Sequence, residues 1–184
     1  MRPIQRLRSI RLADYTLSRQ RKDLNIVKRE RWTEAELEDL PAEEPDVFER
    51  KAGKLFEDQG KFLGSVAKAL SAFANSGGGS LIIGAEDDGT PDGLPPLVGG
   101  TSIRDWIEQK VPHLLDYPLS DFRVHTVDKS EPSRIPAGRE VIVIDVGDSA
   151  AAPHQSKSEN IYYRREGGDQ NVLPISIWSC SANA

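Results

Sequence analysis

FLGSVAKALSAFANSGGGSLIIGAEDDGTPDG, residues 62–93, is the stretch on which the fold turns. Leu63, Val66, Ala67, Leu70, Phe73 and Ala74 recur at steps of three and four, which gathers them on one face of a helix, with Ser65 and Lys68 on the other. After Asn75 and Ser76 come Gly77, Gly78 and Gly79, residues that adopt the left-handed backbone needed to stop a helix. Leu81, Ile82 and Ile83 follow as a short run of β-formers, closed by the turn signature Asp87-Asp88-Gly89. The order is helix, glycine, strand, turn. Phosphate-binding loops have the opposite order, with glycines after a strand and before a helix, and no Gly-Lys-Ser/Thr follows here; a tight turn is the role this order supports.

A chain of 184 residues fits one domain with an appended arm. Its single cysteine, Cys180, excludes an internal disulfide framework and a cysteine-rich zinc site, and suggests a reducing compartment. No apolar run approaches membrane-spanning length, and the arginines near Met1 lack the apolar stretch of a secretory signal, so the expected location is cytoplasmic, with no membrane partner. The net charge of −5 argues against a simple polyanion binder, yet it is unevenly placed. Residues 1–31 hold ten Lys or Arg against three acids; residues 32–49 hold eight acids and no base. The basic arm suits nucleic acid, a neighbouring subunit or the acidic stretch itself, and equally a plain solvated terminus.

Thr33 to Leu40 reads as a short helix capped by Thr33 with Glu36 three residues on, and Pro41 and Pro45 bracket a connector. From Val47 the pattern is extended, with Val47, Glu49 and Lys51 on one side and Phe48 and Arg50 on the other, so that charges occupy both faces. Leu55 to Gly60 reads as a loop. Thr101 is placed to cap a second helix with the stripe Ile103, Trp106, Ile107, Val111 and Leu114, which Pro112 kinks or ends. Phe122 to Thr126 and Val141 to Val146 read as an antiparallel pair of strands, and Ile161 to Arg165 as a last strand before Gly167-Gly168. The expected fold is α+β: a mainly antiparallel sheet with the two principal helices packed on one side, plus the basic N-terminal arm.

This order of elements resembles the AlbA-type domain of the Schlafen family and its bacterial relatives. The resemblance is carried by Glu49-Arg50-Lys51, Ser71-Ala72-Phe73-Ala74-Asn75 with its glycines, Ile83-Gly84-Ala85-Glu86-Asp87-Asp88-Gly89, and Asn160-Ile161-Tyr162-Tyr163-Arg164. It implies a division into an arm and connector over 1–43, the AlbA-type domain over 44–173 and a tail over 174–184. Schlafen members that cleave RNA use two carboxylates of a Glu-x-x-x-x-Glu segment and an Asp just after the Ile-Gly strand, which here are Glu44, Glu49 and Asp87. The resemblance thus implies a metal-dependent endoribonuclease of structured RNA such as tRNA, with Mg²⁺ or Mn²⁺ on those three carboxylates and a role in phage defence. Clustered carboxylates do bind such ions, which activate water and neutralise phosphoryl charge, and Lys51, on the face of Glu49, is placed to hold a phosphate. Here Arg50 stands for the family's aromatic, Ala85 for its Val, and Pro45 follows Glu44.

Two readings of the acids stay open at this level: a working triad, or a binding domain with ordinary turn acids, since Asp and Gly are what such a turn requires in any case. Glu86 competes with Asp87 as the third acid because neighbours on a strand face opposite ways. Tyr162, Tyr163, Arg164 and Arg165 suit the bases and phosphates of RNA, with Tyr162 and Arg164 on one face of the strand and Tyr163 and Arg165 on the other. His113, His125 and His154 lack ligand spacing, and a serine hydrolase reading lacks a nucleophile elbow. The alternatives are a non-catalytic DNA- or RNA-binding module of a transcription regulator, and an assembly subunit. Eukaryotic Schlafen cores resemble two such lobes forming a clamp whereas this chain has one. A homodimer is therefore expected, held by arm-to-acid pairs across the interface and by Trp32 and Ile26.

Overall fold

The computed structural model describes residues 30–44 and 46–174. Most of the basic arm, with Ile26, and the tail from 175, with Cys180, lie outside the described residues. The elements are α1 (Glu34–Glu38), β1 (Phe48–Lys51), α2 (Gln59–Ala74), β2 (Gly79–Ile83), β3 (Leu97–Val98), β4 (Thr101–Ser102), α3 (Ile103–Lys110), β5 (Leu115–Asp116), β6 (Phe122–Thr126), β7 (Ile142–Val146), β8 (Gln155–Ser156), β9 (Ile161–Glu166) and β10 (Asp169–Val172). The chain is α+β with mostly antiparallel sheets. Its strands divide into a central sheet ordered β1-β2-β7-β6, a second sheet ordered β10-β9-β8-β5 and a two-stranded antiparallel pair β3-β4. The pair β1 and β2 is parallel, joined by α2 as crossover, and the remaining pairs of both sheets are antiparallel.

Helix α2 packs on β2 and β7 of the central sheet and on β8, β9 and β10 of the second. That position explains why Ala69 to Ala74 are all buried, a run that no single apolar stripe accommodates. Ser71 is tolerated there because its hydroxyl donates to the His154 carbonyl at 2.8 Å and accepts from the Tyr163 N–H at 3.1 Å. The helix starts earlier than the sequence suggests: Leu55 to Gly60 is not a loop but a 3-10 turn, Gly53–Glu57, followed at Gln59 by α2, whose N-cap Asp58 accepts from the Lys61 N–H at 3.1 Å. At its other end Gly77 and Gly78 take φ of 86° and 87°, as the glycine run implies. Gly79 is needed for a different reason, since a Cβ there would lie 2.2 Å from the Phe73 ring. The second long helix is capped by Ser102, one residue beyond the expected Thr101, with its hydroxyl accepting from Asp105 N–H at 3.1 Å.

Alternation along the central sheet builds two cores. Leu81, Ile83, Ile142, Ile144 and Val124 face α2 and α3. Phe48, Ile82 and Val143 face the other way, where Trp32 and the partly buried Leu37 and Leu40 cover them. Residues 32–40 are therefore built into the domain. Thr33 and Glu36 form the expected capping box, and Thr33 bridges in parallel to Asp128 just past β6. Trp32, 1% exposed, is buried within its own chain, so it is not an exposed anchor for a second copy. Its indole donates to the buried Asp145 carboxylate at 3.0 Å, which also accepts from Ser80 at 2.6 Å and lies 3.3 Å from His125 Nε2.

Candidate nucleic-acid site

Strand β1 runs beside β2 with Glu49 opposite Leu81 and Lys51 opposite Ile83, so Glu49 and Lys51 share the α2 side of the sheet while Arg50 points to the Trp32 side. The Glu49 carboxylate is buried. One oxygen meets the Lys51 ammonium, and the other meets the Arg165 guanidinium and the Gln170 side-chain amide. Arg165 is fully enclosed: it also donates to the carbonyls of Phe48 at 3.1 Å and Gly168 at 2.8 Å, and its guanidinium stacks 4.9 Å from the Phe73 ring centre. Neither strand could hold its charge alone in this place, and each supplies what desolvates and neutralises the other.

Glu44 stands beside this pair. Its carboxylate accepts from the Arg50 N–H at 2.7 Å, and desolvation, with the charge of Glu49 adding to it, holds its pKa above the ordinary carboxylate range despite that hydrogen bond and the charges of Lys51 and Arg165. The β9–β10 turn closes over it, with the Gly168 N–H donating to Asp46 at 2.9 Å and no room for a Cβ, which would sit 2.4 Å from the Glu44 carbonyl oxygen. Glu44, Glu49, Lys51 and Arg165 are thus brought together.

Asp87 is exposed in the turn after β2, and its charge and that of Asp88 act on Arg50, on the opposite face from Glu49. Glu86 is occupied by Lys54 at 2.8 Å. The buried Arg50 guanidinium, in the place of an aromatic, donates to the Pro41 carbonyl at 2.9 Å and lies 4.8 Å from the Phe48 ring centre; burial lowers its pKa against the pull of Glu44, Asp87 and Asp88. Among the described residues no group of three or more His, Cys, Asp or Glu is arranged to hold a metal ion. As built, Glu44, Glu49 and Asp87 do not fit a Mg²⁺ or Mn²⁺ ion: both Glu49 oxygens already face donors, two of them cationic, and Asp87 sits with Arg50.

On β9 the alternation is as read from the sequence. Tyr163 and Arg165 are buried toward α2, and Tyr162 and Arg164 are half-buried on the outer face. Tyr163 donates to Glu159 and lies under the Lys68 ammonium, 5.0 Å from its ring centre; burial first and Glu159 second push its pKa up to about 12. Arg164 is 37% exposed and paired with Glu166 at 2.5 Å. Two positioning residues escaped the sequence reading. Gln170 lies on β10, for which no apolar pattern gave a signal. Asn75 looks like a helix-end residue, yet its amide donates to the carbonyls of His154 at 3.0 Å and Tyr163 at 2.9 Å and accepts from the His154 N–H at 2.7 Å, stitching α2 to the second sheet. The acids expected to meet a partner's arm are largely used within the chain. Glu34 accepts from the N–H groups of Ser130, Arg134 and Ile135, and Glu38 lies 3.5 Å from Arg134.

An α+β domain with a helix held between two sheets and a buried carboxylate tied to a Tyr-Tyr-Arg-Arg strand is what this geometry defines. The family model "Schlafen, AlbA_2" matches residues 44–173, and the chain belongs to that family. Membership supports a nucleic-acid-binding or nuclease-like function in general. No curated protein matches the chain. Among solved structures it is similar to the DIP2311 protein from Corynebacterium diphtheriae, with 22% identity and a TM-score of 0.50 over 72% of this chain. That match spans 26% of the other chain and bears on the fold alone. Among the described residues no helix is long and apolar enough to cross a membrane.

Proposed function

We propose that this chain is an RNA-binding domain whose contact surface is the outer face of the β8–β9–β10 sheet, with Glu44 and Glu49 serving the domain's structure. The observation that supports it is the division of β9, whose Tyr163 and Arg165 are committed inward while Tyr162 and Arg164 stand together on the open face. An aromatic ring beside a guanidinium suits an unstacked base and its phosphate, and the 2′-hydroxyl offers such a polar face further bonds, so RNA is favoured over DNA. Tyr162→Ala and Arg164→Ala should each weaken binding of a single-stranded or tRNA-like RNA in a shift assay, and the arginine variant should also flatten the salt dependence. Unchanged affinity in both would overturn the surface and leave the basic arm as the binding element.

A metal-dependent endoribonuclease acting on tRNA-like RNA in phage defence is the second reading, favoured by the gathering of Glu44, Glu49 and Lys51 in one place. Its test is cleavage of tRNA with added Mn²⁺ or Mg²⁺. Product that disappears in Glu44→Gln, in a protein that stays folded, favours this reading; RNA retained uncut favours the first. A homodimer is proposed as an assembly in which two such domains share one binding surface, and light scattering decides between it and a monomer.

A further inference from the structure

Outside this region, the loop after β7 carries a nucleophile and base in contact. Ser149 Oγ lies 2.6 Å from His154 Nε2, and His154 Nδ1 lies 2.8 Å from the Tyr117 carbonyl oxygen. A carbonyl oxygen only accepts, so Nδ1 carries the hydrogen and Nε2 of the neutral ring presents its lone pair to the serine hydroxyl. Ser149 Oγ in turn accepts from the Ala151 N–H at 3.3 Å, which leaves its own hydrogen for His154.

The base is rigidly held. His154 is 1% exposed, and its backbone is gripped on both sides by Asn75 and by the Ser71 hydroxyl. Ser149 is only half-buried, so the nucleophile is the member of the pair that solvent reaches. The residue orienting the base is itself unusual: Tyr117 has φ 61°, the left-handed region that a bulky side chain rarely adopts, and it is 70% exposed. This strained backbone is what brings the Tyr117 carbonyl to the far side of the imidazole.

We propose that Ser149 is a nucleophile activated by His154, with the Tyr117 carbonyl as the orienting third member, and that it accepts acyl groups from aryl esters, whose phenolate leaves readily enough for a base that lacks a carboxylate partner. Ser149 Oγ forms a bond to the ester carbonyl carbon as its proton passes to His154 Nε2. The bond from carbon to the leaving phenolate oxygen then breaks, and the proton on Nε2 goes to that oxygen, leaving acyl-serine and a phenol. Water, giving its proton to Nε2, releases the carboxylic acid and restores the serine. With a carbonyl in place of a carboxylate the imidazolium is less stabilised, so turnover is slow and the acyl-serine accumulates.

Treating the full chain with a fluorophosphonate and mapping it by peptide mass spectrometry should find the label on Ser149, with none at that position in Ser149→Ala and at least ten-fold less in His154→Gln. Because the buried histidine variant can fail to fold, a second measurement uses Ser149→Cys. Transfer of the introduced thiol's proton to His154 should make it react with iodoacetamide at pH 6 at least ten-fold faster than Cys180 of the same chain. An unlabelled Ser149, or an introduced thiol no faster than Cys180, overturns the proposal.

Discussion

The Arg165 guanidinium is buried against the Glu49 carboxylate, and that contact ties the second sheet to the edge strand of the central one. Removing one member of such a pair leaves an uncompensated buried charge, at a typical cost of about 3 to 5 kcal/mol. Arg165→Met should fall near the lower end, about 3 kcal/mol in urea unfolding, because Lys51 and Gln170 still face Glu49. Adding Glu49→Leu should recover part of the loss. A double variant as unstable as the sum of its singles would show that the two residues do not act as a pair.

Glu34 and Glu44 should respond to substitution with opposite signs. Burial alone would raise the Glu34 pKa, but hydrogen bonds from Ser130, Ser133, Arg134 and Ile135 outweigh it and hold it below the ordinary value. A depressed folded pKa contributes stability that is present above the unfolded pKa and lost as pH falls through the folded one. Glu34→Gln should therefore destabilise at pH 7, by about 1 to 3 kcal/mol as N–H donors lose acceptors, and remove part of the acid-side loss. Glu44 is raised by desolvation, so its ionised form opposes folding at neutral pH, and stability gained from its protonation appears as pH falls toward its unfolded value. Glu44→Gln should stabilise at pH 7 and lose that gain. Chemical unfolding from pH 3 to 8 reads both, and equal signs at pH 7 would sink the assignment.

Gly79 should tolerate no side chain. A Cβ would meet the Phe73 ring at 2.2 Å and the Val47 carbonyl oxygen at 2.9 Å, both closer than a real Cβ contact. Gly79→Ala should cost about 1 to 3 kcal/mol, as overpacking does, and a thermal unfolding midpoint unchanged from the parent would show that α2 can move away.

What the sequence disclosed followed from local rules. The apolar face through Leu63 to Ala74, the glycine stop and the Thr33 capping box are set by neighbours within a few residues and were legible; that Ala69, Ser71 and Ala72 are buried too was not, because the second sheet that covers them is distant in sequence. Glu49 was legible only through the family resemblance, because the strand Phe48-Glu49-Arg50-Lys51 carries charges on both faces, whereas the alternation of β9 sorted its tyrosines and arginines by face. Its partners were not legible, since Glu49 meets Arg165 and Gln170 across more than a hundred residues of chain. The short strands β5 and β8 and the polar β10 (Asp169, Gln170, Asn171) carry no hydrophobic period to announce a sheet. His154 looked isolated because its partners, Ser149 and Tyr117, are set by loop geometry rather than by spacing.

Trp32 lies twelve residues before the family match begins, yet it should be as necessary as any residue inside that match. It covers Phe48, Ile82 and Val143 on the face of the central sheet away from α2, and its indole donates to Asp145, a carboxylate 2% exposed. Trp32→Ala would open a cavity and withdraw one of that carboxylate's donors, for a loss of about 3 to 5 kcal/mol. Trp32→Phe separates the two effects: it keeps most of the apolar cover and loses only the hydrogen bond, for about 1.5 to 3 kcal/mol, the range of bonds to charged groups. A chain beginning at Glu44 lacks Trp32, Leu37, Leu40 and the Glu34 carboxylate together. It should lose its near-ultraviolet circular dichroism and bind a hydrophobic dye, the signature of a sheet left open on one face. A chain beginning at Glu30 should do neither. If the shorter chain unfolds as cooperatively as the longer one, the family boundary is also the folding boundary and residues 30–43 are an ornament on a domain complete without them.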